Sequence, residues 1–172
     1  MKKDNWIYKV FFITFILAAI FSGISNVISS TFNNAILAII ILLVTSIGII
    51  FDMVGTACLT AEEKNFHAKN SRKIKGAKES ISIIKNAVVI ANICNDIIGD
   101  ICGIVSGGLG AVLAINLSKS FSWNVTIATI IISALISSIT VGCKAIFKNV
   151  AIKNCDNIIF KVGKIMNIFS RK

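Results

Sequence analysis

The chain has 172 residues, 55% of them hydrophobic, with a mean hydropathy of +0.83. Only 15% of the residues are charged, whereas soluble domains are about a quarter charged. This composition excludes an ordinary soluble globule and predicts one all-α integral membrane domain. A net charge of +10 would suggest nucleic acid as the partner of a soluble protein. We do not expect nucleic acid here, because membrane proteins accumulate Lys and Arg on the cytoplasmic side of their spans.

Four apolar runs reach the length of about 20 residues that a helix needs to cross the hydrocarbon layer. The predicted spans are 10–29, 35–59, 87–117 and 121–142. The first is predicted to be an uncleaved span and not a signal peptide. The third is too long for one perpendicular span. Either its first turns lie at the interface, or Gly107, Gly108 and Gly110 break the helix.

The basic residues predict the topology. Segments 1–9, 60–86 and 143–172 hold 17 of the 18 Lys and Arg residues, and Lys119 lies in one of the two short loops on the other side. We therefore expect four spans in the cell membrane, with both termini in the cytoplasm. The expected single domain, 1–172, has three parts: an extra N-terminal span at 1–34, a core at 35–152 and an amphipathic basic tail at 153–172.

Two cytoplasmic segments combine helical periodicity with basic residues. Segment 75–85 has Ala77, Ile81 and Ile84 on one helical side. Segment 144–172, which includes the tail, has apolar residues at helical spacing between its lysines. Both patterns predict amphipathic helices on the anionic lipids of the inner leaflet. A docking surface for a partner protein has the same pattern.

Polar residues inside the predicted spans are the first candidates for a functional site, because carboxylates are costly in a membrane. Asp52 lies in the second span. At 100° per residue, the polar and small residues of the third span fall within an arc of about 140°. They are Asn92, Asn95, Asp96, Gly99, Asp100, Gly103, Ser106 and Gly107.

Two interpretations of this polar face are compatible. Gly99, Gly103 and Gly107 recur every four residues, a pattern that lets membrane helices pack closely. Carboxylate, amide and carbonyl oxygens also suit a hard cation such as Mg²⁺. No nucleotide-binding loop, nucleophile elbow or zinc-protease motif occurs, so we do not expect an enzyme.

Several motifs occur in a characteristic order. They read GTACL at 55–59, KGAKESISIIKN at 75–86, ICNDIIG at 93–99, CKAIFK at 143–148 and AIKN at 151–154. In order and topology they resemble the membrane domain of the CNNM/CorC family of magnesium and cobalt transporters. The resemblance covers about two thirds of the chain. It implies a homodimer in the lipid bilayer that handles Mg²⁺ or a related divalent cation. The chain stops before the family's cytoplasmic nucleotide-sensing domains, so no nucleotide is expected.

The resemblance also implies site residues. The implied metal ligands are Thr56, Asn95, Asp96 and Gly99, and we expect the pathway to be lined by Asp52, Asn92, Asp100 and Lys144. Two positions depart from the family pattern, since Lys144 replaces a Glu and Phe147 replaces a Pro. If the Lys144 ammonium points at Asp96 or Asp100, it takes the place of the metal. The alternative function is therefore a membrane scaffold or regulatory subunit that keeps the fold without transporting.

Overall fold

A computed structural model describes residues 32–169 continuously, together with residues 8, 11–13, 15, 16, 18–20, 22–24 and 27. Within these residues all regular structure is helical, which confirms the predicted all-α class. From residue 34 the elements are α1 (Asn34–Thr60), α2 (Lys64–Ser71), α3 (Ala77–Lys85), α4 (Ala87–Asn92), a π-helix (Ile93–Ile98), α5 (Gly99–Phe121), α6 (Val125–Lys153) and α7 (Cys155–Phe169).

Three helical stretches are long and apolar enough to cross a membrane, namely Asn34–Thr60, Ala87–Phe121 and Val125–Lys153. They correspond to the predicted second, third and fourth spans. The predicted first span, 10–29, lies partly outside the described residues, so the count of four spans stays a prediction. Its described residues are helical.

The long third stretch does not break at its glycines. α5 runs without interruption through Gly107, Gly108 and Gly110, so the expected break there is wrong. An apolar environment favours an unbroken helix even at glycine, because every backbone group then bonds within the segment. The irregular backbone lies earlier, in the π-helix, where the Gly99 N–H donates to the carbonyl of Cys94 five residues before it.

The last apolar helix also differs from its predicted boundaries. α6 begins at Val125 and continues to Lys153, whereas the predicted span was 121–142. The first ten residues of the periodic segment 144–172, namely 144–153, therefore extend this helix. Only Asn154 separates it from α7, which contains the rest of the described segment up to Phe169.

The described residues form two compact units. The first combines the described residues up to Gly48 with Asp100–Val141, and the second contains Ile49–Gly99 and the chain from Gly142 onward. In the first unit α5 packs against α6 at Gly110, where an added Cβ would collide with the Cδ1 of Ile136. The predicted division into parts at 34 and 152 stays a prediction.

In the second unit, α2, α3 and α7 pack around a core that includes the end of α1. Its buried members are Ala57, Cys58, Ala61, Phe66, Ile81, Ile83, Ala151 and Ile159. The closest approach of α3 and α7 is at Gly163, where a Cβ would lie 2.5 Å from the carbonyl oxygen of Gly76 and collide with the Ser80 hydroxyl. That hydroxyl donates to Gly76 O at 2.7 Å and lies 3.2 Å from Ile159 O. The predicted apolar side of α3 thus packs within the protein.

Polar contacts join the same short helices. The Asn65 carboxamide of α2 donates to Asp156 of α7 at 2.8 Å, and Asn167 of α7 donates to Glu79 of α3 at 2.6 Å. These two bonds join α7 to both α2 and α3. Placement of the helices on the inner leaflet stays a prediction.

Candidate functional site

The π-helix determines which polar side chains turn inward. Its turns are wider than those of an α-helix, so it changes the register of the residues that follow. Cys94 is buried and Asn95 is half-buried, whereas Asn92 and Asp96 are exposed. The spacing of 100° per residue, on which the predicted polar face depends, therefore does not hold across this turn. π-Helical turns occur frequently at functional sites, and this favours the half-buried Asn95 as a site residue.

Asn95 fits into a space that exists because residue 55 of α1 is glycine. A Cβ at Gly55 would collide with Asn95 Oδ1 and would lie 2.7 Å from its Cγ. The Oδ1 atom is buried and accepts no hydrogen bond from any described residue. A buried acceptor without a donor costs about 1–3 kcal/mol, so native proteins usually satisfy such an atom with water, an ion or a protein donor.

Asp52 lies one turn before Gly55 on the same side of α1. The residue is only 4% exposed, and its Oδ2 is also buried without a hydrogen-bond donor among the described residues. The Nζ of Lys148 on α6 lies 3.6 Å from this oxygen. That distance allows an ion pair but is too long for a hydrogen bond. The Lys148 side chain is 48% exposed, so it reaches the buried carboxylate from a more solvent-exposed position.

Thr56 adds a hydroxyl to the same region. It follows Gly55 directly, is half-buried, and donates to the carbonyl oxygen of Asp52 at 2.9 Å. This bond uses the hydroxyl proton and leaves the oxygen lone pairs available as an acceptor or ligand.

Lys144 does not make the ion pair that the sequence suggested. Its Nζ lies 3.6 Å from where a Cβ of Gly99 would be, and it pairs with no carboxylate in the described part of the chain. A contact of Lys144 with Asp96 or Asp100, which was the condition for a fixed cation in place of the metal, is not found among the described residues. One turn further along α6, Lys148 provides the ammonium group that reaches a carboxylate, and this carboxylate is Asp52.

The other predicted site residues lie apart from these contacts. Asp96 and Asp100 are exposed, and neither makes an ion pair or side-chain hydrogen bond with a described residue. Gly103 and Gly107 are exposed too, and a Cβ at either would meet no atom of a described residue within 4 Å. These two glycines thus make no close helix contact with the part of the chain that the structure describes.

Two residues of this region were not predicted as site residues. For Gly55 the sequence does contain a signal, because its position three residues after Asp52 places both on one helix face. For Lys148 the signal is its spacing of four residues from Lys144, which places both lysines on one face of α6. The sequence does not indicate which of the two lysines reaches a carboxylate.

The oxygen set consists of one carboxylate, one carboxamide and one hydroxyl. Across the residues that the structure describes, no group of three or more His, Cys, Asp or Glu side chains could hold a metal ion. A set of this kind does not suit zinc, which prefers sulfur and imidazole. It suits a hard cation that keeps most of its water, as Mg²⁺ does.

Comparison with known proteins adds no relative. No protein-family model, curated protein or solved structure matches this chain.

Proposed function

We propose that the chain is a multi-pass protein of the cell membrane, similar to the CNNM/CorC transporters, that handles Mg²⁺ or a related divalent cation. The proposed arrangement has four spans, cytoplasmic termini and a homodimeric state. The cation binds where the π-helix faces α1, and no catalytic step is involved.

The observation that supports this proposal is the pair of buried oxygens without donors. Asp52 Oδ2 and Asn95 Oδ1 both lie out of contact with solvent and accept no hydrogen bond from a described residue. Gly55 lies beside Asn95 and one turn from Asp52. Buried polar atoms are nearly always satisfied, so two such oxygens, one beside Gly55 and one on the preceding turn of α1, favour a cation or its water shell as the missing partner.

Each residue has a proposed role in binding. Asp52 supplies the negative charge, while Asn95 and Thr56 supply neutral oxygens for the ion or for its bound waters. The exposed Asp96 and Asp100 attract cations and line the approach. Such a site holds Mg²⁺ loosely, because few protein ligands replace its tightly bound water.

A second candidate function is the scaffold or regulatory subunit. The ion pair between Asp52 and Lys148 favours it, since an ammonium group already neutralises the only buried carboxylate of the described chain. In that case the polar residues stabilise the fold, and no cation passes.

The test is Mg²⁺ flux into proteoliposomes that contain the purified full chain. Asn95→Leu removes the buried acceptor and keeps a side chain of similar volume, and Asn116→Leu makes the same change at another half-buried position of the same stretch. We expect the Asn95 variant to lose at least nine tenths of the flux and the Asn116 variant to retain most of it.

The alternative outcomes are equally clear. Absence of flux from the folded, inserted wild-type protein under gradients of either direction supports the scaffold. Equal flux in both variants excludes Asn95 as a ligand and means that the cation is transported through another site.

A further inference from the structure

A shallow pocket lies where α2, α3 and α7 meet. Its volume is about 260 Å³, and its polar lining includes Lys73, Lys75, Lys78, Asn70 and Asn167. We call this the basic pocket. It lies in the second unit, outside the residues proposed to bind the cation.

The three lysines of the basic pocket have no acidic partner in the described part of the chain. All three are exposed, and none forms an ion pair with a described residue. Glu79 is the one carboxylate that lines the pocket, and its Oε1 accepts a hydrogen bond from Asn167 at 2.6 Å. The pocket therefore has an excess of two positive charges, which favours an anionic ligand.

The loop that carries these lysines is held in place. Gly76 has φ +91°, and a Cβ there would lie 2.7 Å from the backbone nitrogen of Lys164. Ser80 bonds back to the Gly76 carbonyl at 2.7 Å. Because the loop packs directly on α7, the pocket exists before any ligand binds, which reduces the entropic cost of binding.

Apolar side chains border the lysines. Ile74 lines the basic pocket and is 41% exposed. A second cavity of about 250 Å³ shares Lys78 and Glu79 with the first, and its apolar lining is Met166, which is 45% exposed. A phosphate bound by the lysines would thus have apolar surface beside it. A soluble phosphate makes no use of such surface, whereas a lipid covers it.

The position in the chain agrees with a lipid ligand. The loop lies between Thr60, which ends one apolar stretch, and Ala87, which begins the next. Both of these ends reach a membrane surface if the stretches cross the bilayer. The lysines then lie at the depth of the lipid phosphates, where juxtamembrane basic residues are attracted to anionic lipid.

We propose that the basic pocket binds the phosphate of an anionic phospholipid of the surrounding membrane. The three ammonium groups and the carboxamides of Asn70 and Asn167 face the phosphate oxygens, and Ile74 and Met166 contact the glycerol and upper acyl chain. This inference rests on the membrane insertion proposed above and not on cation handling, so either proposal can fail without the other.

The experiment measures lipid binding to the full chain in detergent by native mass spectrometry. Phosphatidic acid and phosphatidylcholine with identical acyl chains are titrated separately. The pocket variant carries Lys73→Gln, Lys75→Gln and Lys78→Gln. The control variant carries Lys64→Gln, Lys153→Gln and Lys161→Gln, which removes the same charge from exposed lysines outside the pocket. Circular dichroism confirms that both variants stay folded.

We expect the wild type to prefer phosphatidic acid, and the pocket variant to bind it on the order of 100-fold more weakly, because each lysine near a lipid phosphate contributes about a fivefold factor. The affinity of the control variant should stay within about threefold of that of the wild type.

Equal weakening of phosphatidic acid binding in both variants would mean that the lipid is attracted by the overall positive charge, and would overturn the proposed site. Displacement of the lipid by an equal concentration of inorganic phosphate would overturn the lipid assignment in favour of a soluble phosphate.

Discussion

Gly55 determines the position of Asn95, and its substitution is the most direct test of the candidate cation site. Gly55→Ala places a methyl group where Asn95 Oδ1 now lies and 2.7 Å from its Cγ. The carboxamide must rotate away, so we expect Mg²⁺ flux in proteoliposomes to fall at least tenfold.

The control for this variant is Gly103→Ala, where an added Cβ meets no atom within 4 Å. Alanine is a better helix former by about 1 kcal/mol, so this variant should keep its flux and unfold at the same or a higher temperature. Wild-type flux in both variants would show that the position of the Asn95 carboxamide does not matter for transport.

We expect the substitution of lysine by glutamate to have opposite effects at the two lysines of α6, Lys144 and Lys148. Lys148→Glu places a second carboxylate near the buried Asp52, whose only ionic partner among the described residues is Lys148. Like charges in a buried site repel, so we expect a lower unfolding temperature than that of the wild type in the absence of Mg²⁺. Lys144→Glu breaks no ion pair with a described residue and places a carboxylate near Gly99, so we expect a folded protein with stronger Mg²⁺ binding.

Both lysine variants are measured by thermal unfolding in detergent with and without Mg²⁺. A rise in unfolding temperature with Mg²⁺ that is larger for Lys144→Glu than for the wild type supports this account. Unfolding of the Lys144 variant under conditions where the Lys148 variant is stable contradicts it, because Lys144 would then be the structural counter-ion.

Between elements, the contact of α3 with α7 depends on Gly163. Gly163→Ala introduces a methyl group 2.5 Å from the Gly76 carbonyl and against the Ser80 hydroxyl. We expect this overpacking to destabilise the protein by about 1–3 kcal/mol, despite the higher helix propensity of alanine. Gly142→Ala is the control, since its Cβ meets nothing within 4 Å. Thermal unfolding in detergent compares the two, and equal stability would mean that α3 and α7 shift apart without cost.

The sequence predicts the apolar helices well, because length and hydrophobicity alone limit where a helix can lie in lipid. The second predicted span, 35–59, differs from α1 by one residue at each end. The end of α6 was not predictable in the same way. A helix that leaves the apolar layer can continue with polar residues, so hydrophobicity ends before the helix does.

Two features of the site were not predictable from composition or periodicity. Residues 93–98 contain nothing that distinguishes a π-helix from an α-helix, yet the wider turn separates Asn95 from Asp96. Periodicity in α3 correctly indicated one buried side, but it does not identify what covers that side. In the structure α7 covers this side of α3, whereas the prediction was that lipid covers it.

For the molecule as a whole, the topology is the prediction to test. In a variant without the native cysteines, Ser122→Cys in the loop after α5 should react with an impermeant maleimide applied to intact cells. Ser71→Cys, in the basic segment after α1, should react only after permeabilisation. An equal reaction of both in intact cells would contradict the arrangement in which basic segments stay in the cytoplasm.

The depth of Asp52 along α1 has an electrical consequence. α1 is 27 residues long, about 40 Å, which matches a bilayer with its headgroups, and Asp52 comes eight residues before its end. In the proposed orientation the carboxylate lies about 12 Å from the cytoplasmic end of the helix, of which roughly 6 Å is hydrocarbon. A divalent cation that binds from the cytoplasm crosses about a fifth of the transmembrane voltage, or about 1 kcal/mol per 100 mV. The affinity for a cation that binds from that side therefore changes only about fivefold per 100 mV, and the larger part of any voltage dependence of transport must arise in the later step across α1's uncharged outer part.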